Sequence, residues 1–356
     1  MIEKDIKKVV GFGENIVSEE EETPGKENGM VTGDDALTAK KIICSVVVPV
    51  FNEEAVLPET YKRLNSVMES MNEPYELIFV NDGSKDRTAE ILTEICSRDP
   101  NVKLVNFSRN FGHQLASTAG MDYSTGETVV LIDADLQDPP EIIPDMLRKW
   151  REGYDVVYGV RIKRNGETWF KKLTARLFYR FIRSMTDVEL PVDTGDFRLI
   201  DRKVCVALAR INEKNRYIRG IISWLGFNQT GIEYIRDKRL AGESKYPLKK
   251  MLRFACDGIA SFSYKPLKLA SYCGGFLSAL SLVYLLVLAG QRLFTKTAVA
   301  GWASVLAVSL FFNGIMLIIM GIIGAYIGRI YDEVKGRPLY IVKETKNMDG
   351  VSVARK

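Results

Sequence analysis

The sequence predicts an α/β domain built on a mostly parallel sheet, followed by a two-helix membrane hairpin. Between residues 41 and 235, short apolar runs rich in β-branched residues alternate with segments whose apolar residues recur at helical spacing. Such alternation is typical of strand–helix crossovers. Nearer the C-terminus, no charged residue occurs from Leu269 to Gln291 or from Thr297 to Gly328. Each of these runs is long enough to cross a bilayer, which takes about 20 helical residues.

The first 40 residues are not predicted to join that fold. They are polar, contain the run SEEEET and lack an apolar period, so we expect a disordered acidic tail and no signal peptide. The 356-residue chain has a net charge of +4, a modest value for which we expect no nucleic-acid partner. Its five scattered cysteines form no CxxC pair, which favours a reducing, cytoplasmic setting. A single histidine, His113, excludes a site made of several imidazoles.

Strands and helices alternate in order through the predicted domain. The strand segments are IICSVVVPV, YELIFVNDGS, VKLVNFS and ETVVLID. The helical segments between them are EEAVLPETYKRLNSVMES, DRTAEILTEICSR and GHQLASTAGMDYS. This order predicts right-handed crossovers with helices on both faces of the sheet.

Polar side chains gather where the predicted strands end. FNEE follows the first strand, NDGS the second, SRN the third and DAD the fourth. Ligands of parallel α/β sheets bind outside the carboxyl ends of the strands, so this edge is the predicted binding cleft. No GxGxxG follows the first strand and no P-loop motif occurs anywhere, which argues against a dinucleotide oxidoreductase and a P-loop enzyme.

The segment LIDADLQDPP is a candidate metal site. Asp133 and Asp135 are two residues apart, so on extended backbone both carboxylates project from one side and repel each other unless a cation lies between them. Hard oxygen ligands suit Mg²⁺ or Mn²⁺ completed by substrate phosphates, and Gln137 would add either a carbonyl oxygen to the metal or a hydrogen bond to one of its ligands. The alternative is an acidic turn that caps the strand, and Asp138 is interpreted as a residue of that turn.

Asp82, in VNDGSKD, ends the second predicted strand. A carboxylate in this place can accept a hydrogen bond from a ribose or a base N–H. The alternative, which the motif alone favours, is an Asx-type turn with Gly83 at positive φ. His113 opens the third predicted helix, where we expect a polar contact at the helix start or a pocket wall.

Basic residues flank the two uncharged runs and predict their orientation. They are Lys245, Lys249, Lys250, Arg253, Lys265 and Lys268 before the runs, and Arg329, Lys335 and Arg337 after them. The connecting loop carries only Arg292 and Lys296. Both ends of the hairpin are therefore predicted to be cytoplasmic. The alternative, a buried helical hairpin in a soluble core, is disfavoured by the length of the uncharged runs.

Seven motifs follow one another in a fixed order and carry a family resemblance. They are SVVVPVFNEE, FVNDGSKDRT, SRNFGHQLASTAG, DADLQDPPE, YGVR, TGDFRLIDR and AGESKYPLKKM. From about Ser45 to Arg337 the chain resembles family 2 glycosyltransferases with the GT-A (Rossmann-like) fold. More narrowly, it resembles the bacterial polyprenyl-phosphate glycosyltransferases, which are related to dolichyl-phosphate mannose synthase.

The motifs and the charge pattern together predict five regions. They are an acidic tail (1–40), a GT-A domain (41–235), an amphipathic juxtamembrane segment (236–266), two transmembrane helices (267–328) and a cytoplasmic C-terminal tail (329–356).

The resemblance also implies the site residues. The nucleotide would contact Pro49, Asn52, Glu53, Asp82 and Asp133. The metal would bind Asp133, Asp135 and Gln137. The donor and acceptor phosphates would meet Arg161, Arg198, Arg239, Ser244 and Lys245, the last three at the lipid phosphate. Asp196 is the implied catalytic carboxylate.

The implied activity is the inverting transfer of one hexose from a nucleotide sugar, a UDP-sugar, to polyprenyl (undecaprenyl) phosphate with Mg²⁺ or Mn²⁺. The resemblance places the protein in the bacterial inner membrane as a multi-pass homotetramer with a cytoplasmic catalytic domain. The second pKa of a phosphate monoester is about 6, so a lipid phosphate is largely dianionic at neutral pH. A strong base is therefore barely needed, and we expect Asp196 to position the acceptor or to stabilise positive charge on the sugar.

Two alternative functions fit the sequence less well than this one. A processive polysaccharide synthase would normally carry a QxxRW-type motif and more membrane spans, and the sequence has neither. A non-catalytic membrane scaffold that binds a nucleotide sugar is disfavoured by the intact carboxylates Asp133, Asp135 and Asp196.

Overall fold

A computed structural model describes residues 41–162, 194–237 and 301–348, with isolated helical residues between 267 and 287. The predicted acidic tail, the juxtamembrane segment from residue 238 onward and most of the first predicted span lie outside the described residues. Arg239, Ser244 and Lys245 also lie outside them.

The predicted alternation of strands and helices is confirmed in the first half of the domain. Its elements are β1 (Cys44–Val50), α1 (Leu57–Ser70), β2 (Tyr75–Asn81), α2 (Thr88–Arg98), β3 (Val102–Phe107), α3 (His113–Tyr123), β4 (Thr128–Leu131) and α4 (Ile143–Arg151). The other described elements are β5 (Val156–Arg161), β6 (Thr194–Asp201), α5 (Arg202–Ala209), α6 (Ile218–Leu225), β7 (Gln229–Tyr234), α7 (Trp302–Val334) and β8 (Val342–Lys346).

The described strands form one mixed sheet in the order β7-β5-β6-β4-β1-β2-β3-β8. The central strands β3, β2, β1 and β4 are parallel. In contrast, β6 is antiparallel to both β4 and β5, and β8 is antiparallel to β3. At the far edge β5 and β7 are again parallel. The prediction of a mostly parallel sheet therefore holds for four of the seven pairings among the described strands and is wrong for those of β6 and β8, which do not follow the strand–helix alternation that imposes parallel crossovers.

Both faces of the central sheet are buried, which explains why its strands are apolar without interruption. Every residue of β1 and β2 is buried. Val46 and Val48 belong to a core with residues of α1, α2 and α4, whereas Val47 belongs to a second core with residues of α3, α5 and α6. This alternation is the two-residue period of a strand. The helices therefore cover both faces, as the sequence predicts.

A crevice opens where β1 extends beyond its neighbour β4. β1 pairs with β2 as far as Val50 but with β4 only as far as Val47. Val47 accepts a hydrogen bond from Ile132 on the β4 side, and Val50 accepts one from Asp82 on the β2 side. Pro49, two residues after Val47, therefore faces the side where β4 has ended, and its missing N–H leaves no gap in the ladder. Strand order reverses at β1, which is where ligands bind in sheets of this kind.

The chain after α7 returns to the sheet. β8 pairs with β3 at one edge. Just before β8, the ring of Tyr340 stacks on Phe107 with centroids 5.1 Å apart, and its hydroxyl donates to Asp122 of α3 at 2.9 Å. Residues that fall in the predicted C-terminal tail are thus part of the folded domain.

One helix among the described residues is long and apolar enough to cross a membrane. Its candidate span is Phe311–Val334, with a mean hydropathy of 2.0 and none of the apolar window buried. The prediction of a two-helix hairpin extends into residues that the structure does not describe. The described chain therefore supports one candidate span and not a multi-pass arrangement.

A buried ion pair stabilises the end of the sheet opposite the crevice. Glu76 on β2 is 1% exposed, accepts a hydrogen bond from Ser45 and pairs with Lys103. Burial alone would raise the pKa of Glu76, but the hydrogen bonds and charge of its partners, led by Lys103, lower it. The ionised carboxylate is therefore favoured in the folded state.

We predict that Glu76→Gln lowers the free energy of unfolding by about 3 kcal/mol, because Lys103 loses its buried partner. Circular dichroism during thermal unfolding of the detergent-solubilised chain measures the effect. Because the folded pKa is lowered, the difference between wild type and variant should narrow as the pH falls below the ordinary value of 4.5. The exposed Glu90→Gln is the matched control, and an equal loss in both variants would contradict the prediction.

Candidate active site

The two leading aspartates of LIDADLQDPP lie just past β4, at the crevice. Oδ1 of Asp133 is 2.8 Å from Nε2 of His113. Oδ1 of Asp135 accepts a hydrogen bond from the backbone N–H of Gln137 at 3.1 Å, and Leu136 between them has a φ of +55°. A tight turn therefore follows β4 and leaves both carboxylates partly exposed.

His113 lies between two carboxylates that come from different strands. Its Nε2 contacts Asp133, and its Nδ1 is 3.9 Å from Oδ2 of Asp196 on β6. Burial alone would lower the pKa of His113, but the negative charges, with Asp133 foremost, raise it to about 9. The expected polar contact at the helix start is present, and it joins the two acidic motifs.

Asp196 is held through both of its oxygens. Oδ1 is 2.9 Å from Nε of Arg219 on α6, and Oδ2 accepts a hydrogen bond from Nε2 of Gln114 at 3.2 Å. Gln114 in turn accepts from the backbone N–H of Ile218 at 3.0 Å, and Arg219 donates to the carbonyl of Thr194 at 2.7 Å. The starts of α3 and α6 thus fix the orientation of this carboxylate.

Asp138 is the buried centre of an ion cluster. The interpretation of Asp138 as a simple turn residue is therefore wrong. Its side chain is fully buried and accepts a hydrogen bond from the hydroxyl of Tyr234 at 2.5 Å. Nη2 of Arg161 is 3.3 Å away and Nε of Arg236 is 3.6 Å away. Burial raises the pKa of Asp138, and the charge of Arg161 opposes this rise.

Arg161, expected near the donor phosphates, pairs with Asp138. Its Nε donates to the hydroxyl of Tyr234 at 3.1 Å. A Cβ atom on Gly195 would come within 2.4 Å of its Nη2, so the glycine of TGDFRLIDR makes room for the guanidinium. A partly exposed cation is thus anchored one residue from Asp196.

Arg198 lies beneath the site. It is 3% exposed, and its Nη2 donates to the carbonyl of Gly195 at 3.0 Å. Burial lowers its pKa to about 10. The described contact supports the backbone of β6 beside Asp196, so the structure does not place Arg198 at the surface where the phosphates were expected.

Asp82 holds the start of α3 in place. It is 3% exposed, and its two oxygens accept hydrogen bonds from the backbone N–H groups of Phe111 at 2.6 Å and Gly112 at 2.9 Å. Burial raises its pKa, while these hydrogen bonds oppose the rise. Gly83 has the predicted positive φ, +67°, and a Cβ there would meet the carbonyl carbon of Arg109 at 2.5 Å.

The loop after β1 is tied to the loop after β2. The backbone N–H of Asn52 donates to Oγ of Ser84 at 3.0 Å, and its side-chain oxygen accepts from the N–H of Lys85 at 2.8 Å. The N–H of Glu53 donates to Oγ1 of Thr88 at 3.0 Å. Asn52 and Glu53, which are expected to contact the nucleotide, are therefore held in place by these hydrogen bonds at the end of β1.

The side-chain ligands at the crevice fit a divalent metal only if oxygen atoms of the substrate complete the coordination of the ion. Among the described residues, no group of three or more Asp, Glu, His or Cys side chains could enclose an ion. Asp133 and Asp135, with Gln137 beside them, supply hard oxygen ligands from one turn. Mg²⁺ and Mn²⁺ suit such a pair, because these ions keep waters and recruit substrate phosphates.

A cavity of about 430 Å³ lies on the Asp196 side of His113. It opens between the start of α3 and the loop that joins α5 to α6. Its charged and polar lining includes His113, Gln114, Asp196, Lys214, Arg216 and Arg219.

Several residues of the site were not predicted from the sequence. Gln114, Arg219, Tyr234 and Arg236 are far along the chain from the carboxylates that they contact. Gln114 lies in the motif SRNFGHQLASTAG but was given no role, and the other three residues lie outside the motifs. The one available signal was that each acidic motif needed a buried donor or cation to balance its charge.

We predict that Tyr234→Phe lowers the free energy of unfolding by about 1.5–3 kcal/mol, because the buried Asp138 loses a hydrogen-bond donor. Tyr154→Phe is the control, since the ring of Tyr154 packs against the core while its hydroxyl makes no hydrogen bond described in the structure. Chemical unfolding in detergent measures both variants. Similar losses in the free energy of unfolding of the two variants would mean that the hydrogen bond from the Tyr234 hydroxyl to Asp138 contributes nothing.

Comparison with known proteins identifies the family. Residues 45–208 match the family described as glycosyl transferase family 2. The chain is 57% identical over 317 residues to the uncharacterized glycosyltransferase YkcC of Bacillus subtilis, covering 89% of this chain and 98% of that protein. It is 46% identical over 300 residues to the uncharacterized glycosyltransferase sll0501 of Synechocystis, covering 84% and 94%.

A third relative has a more specific name. The chain is 40% identical over 301 residues to the bactoprenol glucosyl transferase of Shigella phage SfII, covering 85% of this chain and 97% of that protein. These matches extend over almost the whole of each relative. The chain belongs to glycosyl transferase family 2.

Proposed function

We propose that the protein transfers one sugar from a UDP-sugar to a polyprenyl phosphate at the membrane surface, with inversion at the anomeric carbon. The observation that carries the proposal is the convergence of Asp133 and Asp196 on His113 at the crevice of the sheet. The relative named as a bactoprenol glucosyl transferase supports a polyprenyl acceptor.

We propose that α7 anchors the domain in the membrane. Its candidate span has none of its apolar window buried, and an exposed apolar helix of this length needs an apolar solvent. The uncharged run from Leu269 to Gln291 is the candidate for a second span. Because β8 follows α7 and pairs within the catalytic sheet, the end of α7 and the domain lie on the same side of the bilayer.

The donor side of the crevice suits a diphosphate leaving group. When the bond between the sugar and the nucleotide diphosphate breaks, negative charge develops on the leaving phosphate, and a divalent ion held by Asp133 and Asp135 would supply Lewis-acid stabilisation there. Arg161, anchored on Asp138, adds a fixed positive charge at the same edge.

The acceptor side requires orientation more than proton removal. A phosphate oxygen of the lipid attacks the anomeric carbon, the carbon–oxygen bond to the diphosphate breaks, and a single displacement of this kind inverts the carbon. The lipid phosphate needs no strong base, because its second pKa is about 6. Asp196, fixed by Arg219 and Gln114, is placed to position the acceptor or to stabilise positive charge on the sugar.

Transfer of sugar to lipid tests the proposal. The purified full-length protein is incubated with a panel of UDP-sugars and polyprenyl phosphate, and the lipid product is weighed by mass spectrometry. We expect a lipid-phosphate monosaccharide from one donor, and its formation should be abolished by a chelator and by Asp135→Ala. Asp145→Ala, an exposed aspartate on α4, should retain full transfer. Donor binding without any lipid product would instead favour a non-catalytic scaffold.

A second prediction concerns the role of Asp196. Asp196→Asn keeps the shape of the side chain but removes its charge. We expect kcat to fall about 10²-fold or more, because electrostatic stabilisation at a reacting centre is worth several kcal/mol. The KM for the donor should change little. Near-normal turnover would reduce Asp196 to a structural partner of Arg219.

A further inference from the structure

We propose that the cavity beside Asp196 binds the phosphate of the lipid acceptor, and that Lys214 is a phosphate-binding residue positioned by the end of α7. This inference rests on the proposed function. It names where the acceptor enters and which described residues receive its charged group.

The charges of the cavity lining favour an anion. Lys214, Arg216 and Arg219 stand against one carboxylate, Asp196. Arg219 pairs with that carboxylate at 2.9 Å, so the charge of Asp196 is balanced locally. Lys214 adds a further positive charge to the lining of this cavity of about 430 Å³, and a phosphate group is the chemistry that such an ammonium group binds.

Lys214 and Arg216 have different roles in this cavity. Arg216 is 7% exposed, and its Nη2 donates to the carbonyls of Leu208 at 2.8 Å and Ile211 at 2.9 Å. It therefore holds the shape of the loop between α5 and α6. Lys214 is more exposed than Arg216 and stands on that loop where it faces the cavity. Of the two, Lys214 is the residue able to reach a ligand.

The end of α7 positions Lys214. The backbone N–H of Lys214 donates to Oε1 of Glu333 at 2.6 Å, and its ammonium group donates to the carbonyl of Arg337. An ammonium group has three donors, so this contact leaves others for a phosphate. The wall of the cavity is thus connected directly to the candidate membrane helix.

The distance of this contact from the uncharged part of α7 matches the position of a lipid headgroup. Gly328 is the last residue of the uncharged run, and Glu333 follows about one and a half turns later, about 7.5 Å along the helix axis. The headgroup layer of each leaflet is roughly 5–8 Å thick. A phosphate on a membrane-embedded chain would therefore lie at about the level of Lys214.

The cavity is also on the side of the site where an attacking group belongs. Asp133, proposed to hold the donor diphosphate, contacts Nε2 of His113, while Asp196 lies at Nδ1. The leaving diphosphate and the cavity are therefore separated by the imidazole. An in-line displacement requires the attacking and leaving oxygens on opposite sides of the anomeric carbon, and this arrangement provides that separation.

Steady-state kinetics of Lys214→Gln test the proposal, with polyprenyl phosphate in detergent micelles as the acceptor. We expect the KM for polyprenyl phosphate to rise about tenfold or more, because a charge-assisted hydrogen bond is lost. The donor KM and the unfolding temperature should stay within error. Lys214→Arg should recover much of the acceptor affinity, and Glu333→Gln should raise the acceptor KM by a smaller factor. Lys62→Gln, an exposed lysine on α1, is the charge-matched control and should behave as wild type.

The outcomes distinguish failure of this inference from failure of the proposed function. If the wild-type protein transfers no sugar to polyprenyl phosphate, the proposed function fails. If transfer occurs and Lys214→Gln leaves the acceptor KM unchanged, or alters the donor KM and the unfolding temperature equally, the inference is overturned. Inorganic phosphate serves as a second probe. A variant that loses inhibition by inorganic phosphate while keeping its acceptor KM would show a free-phosphate site, which also overturns it.

Discussion

The structure depends on balancing the negative charge that converges on one crevice. Asp82 is balanced by backbone N–H groups, Asp133 by His113, Asp138 by Arg161 and Arg236, and Asp196 by Arg219. Carboxylates held this close repel each other and lose solvation, so each needs a partner of its own. The partners come from different elements, which means that the elements around the crevice must all be in place before the site exists.

Helix α3 connects the parts of this arrangement. Its start carries His113 and Gln114, which contact the two acidic motifs, and Asp82 holds that start in place. Near its other end, Asp122 accepts a hydrogen bond from Tyr340, in the segment that follows α7. The donor site, the candidate catalytic carboxylate and the end of the apolar helix therefore share one rigid element. Because small displacements are costly at a reacting centre, this sharing gives a physical reason for the chain to return to the sheet after α7.

The sequence predicted the central sheet and the acidic motifs, because both depend on local patterns. Apolar runs separated by helical segments specify β1 to β4, and Asp133 and Asp135 were predicted as a pair because they lie two residues apart directly after an apolar run. The outer strands were harder to predict. β8 is short, polar and largely exposed, so it has no apolar pattern. The cluster on Asp138 joins residues 23 and 96 positions apart, and nothing local marks such a contact. Site residues were therefore predicted where they lie in motifs and missed where only the fold brings them together.

The central claim is that the crevice holds a nucleotide diphosphate through a divalent ion on Asp133 and Asp135. Electron paramagnetic resonance of Mn²⁺ tests it without any acceptor or turnover. With UDP present, the wild-type protein should immobilise about one Mn²⁺ per chain, and it should bind far less without UDP, because the protein alone supplies too few ligands. Asp135→Asn should lose the UDP-dependent signal. Equal Mn²⁺ binding by wild type and Asp135→Asn in the presence of UDP would contradict the account.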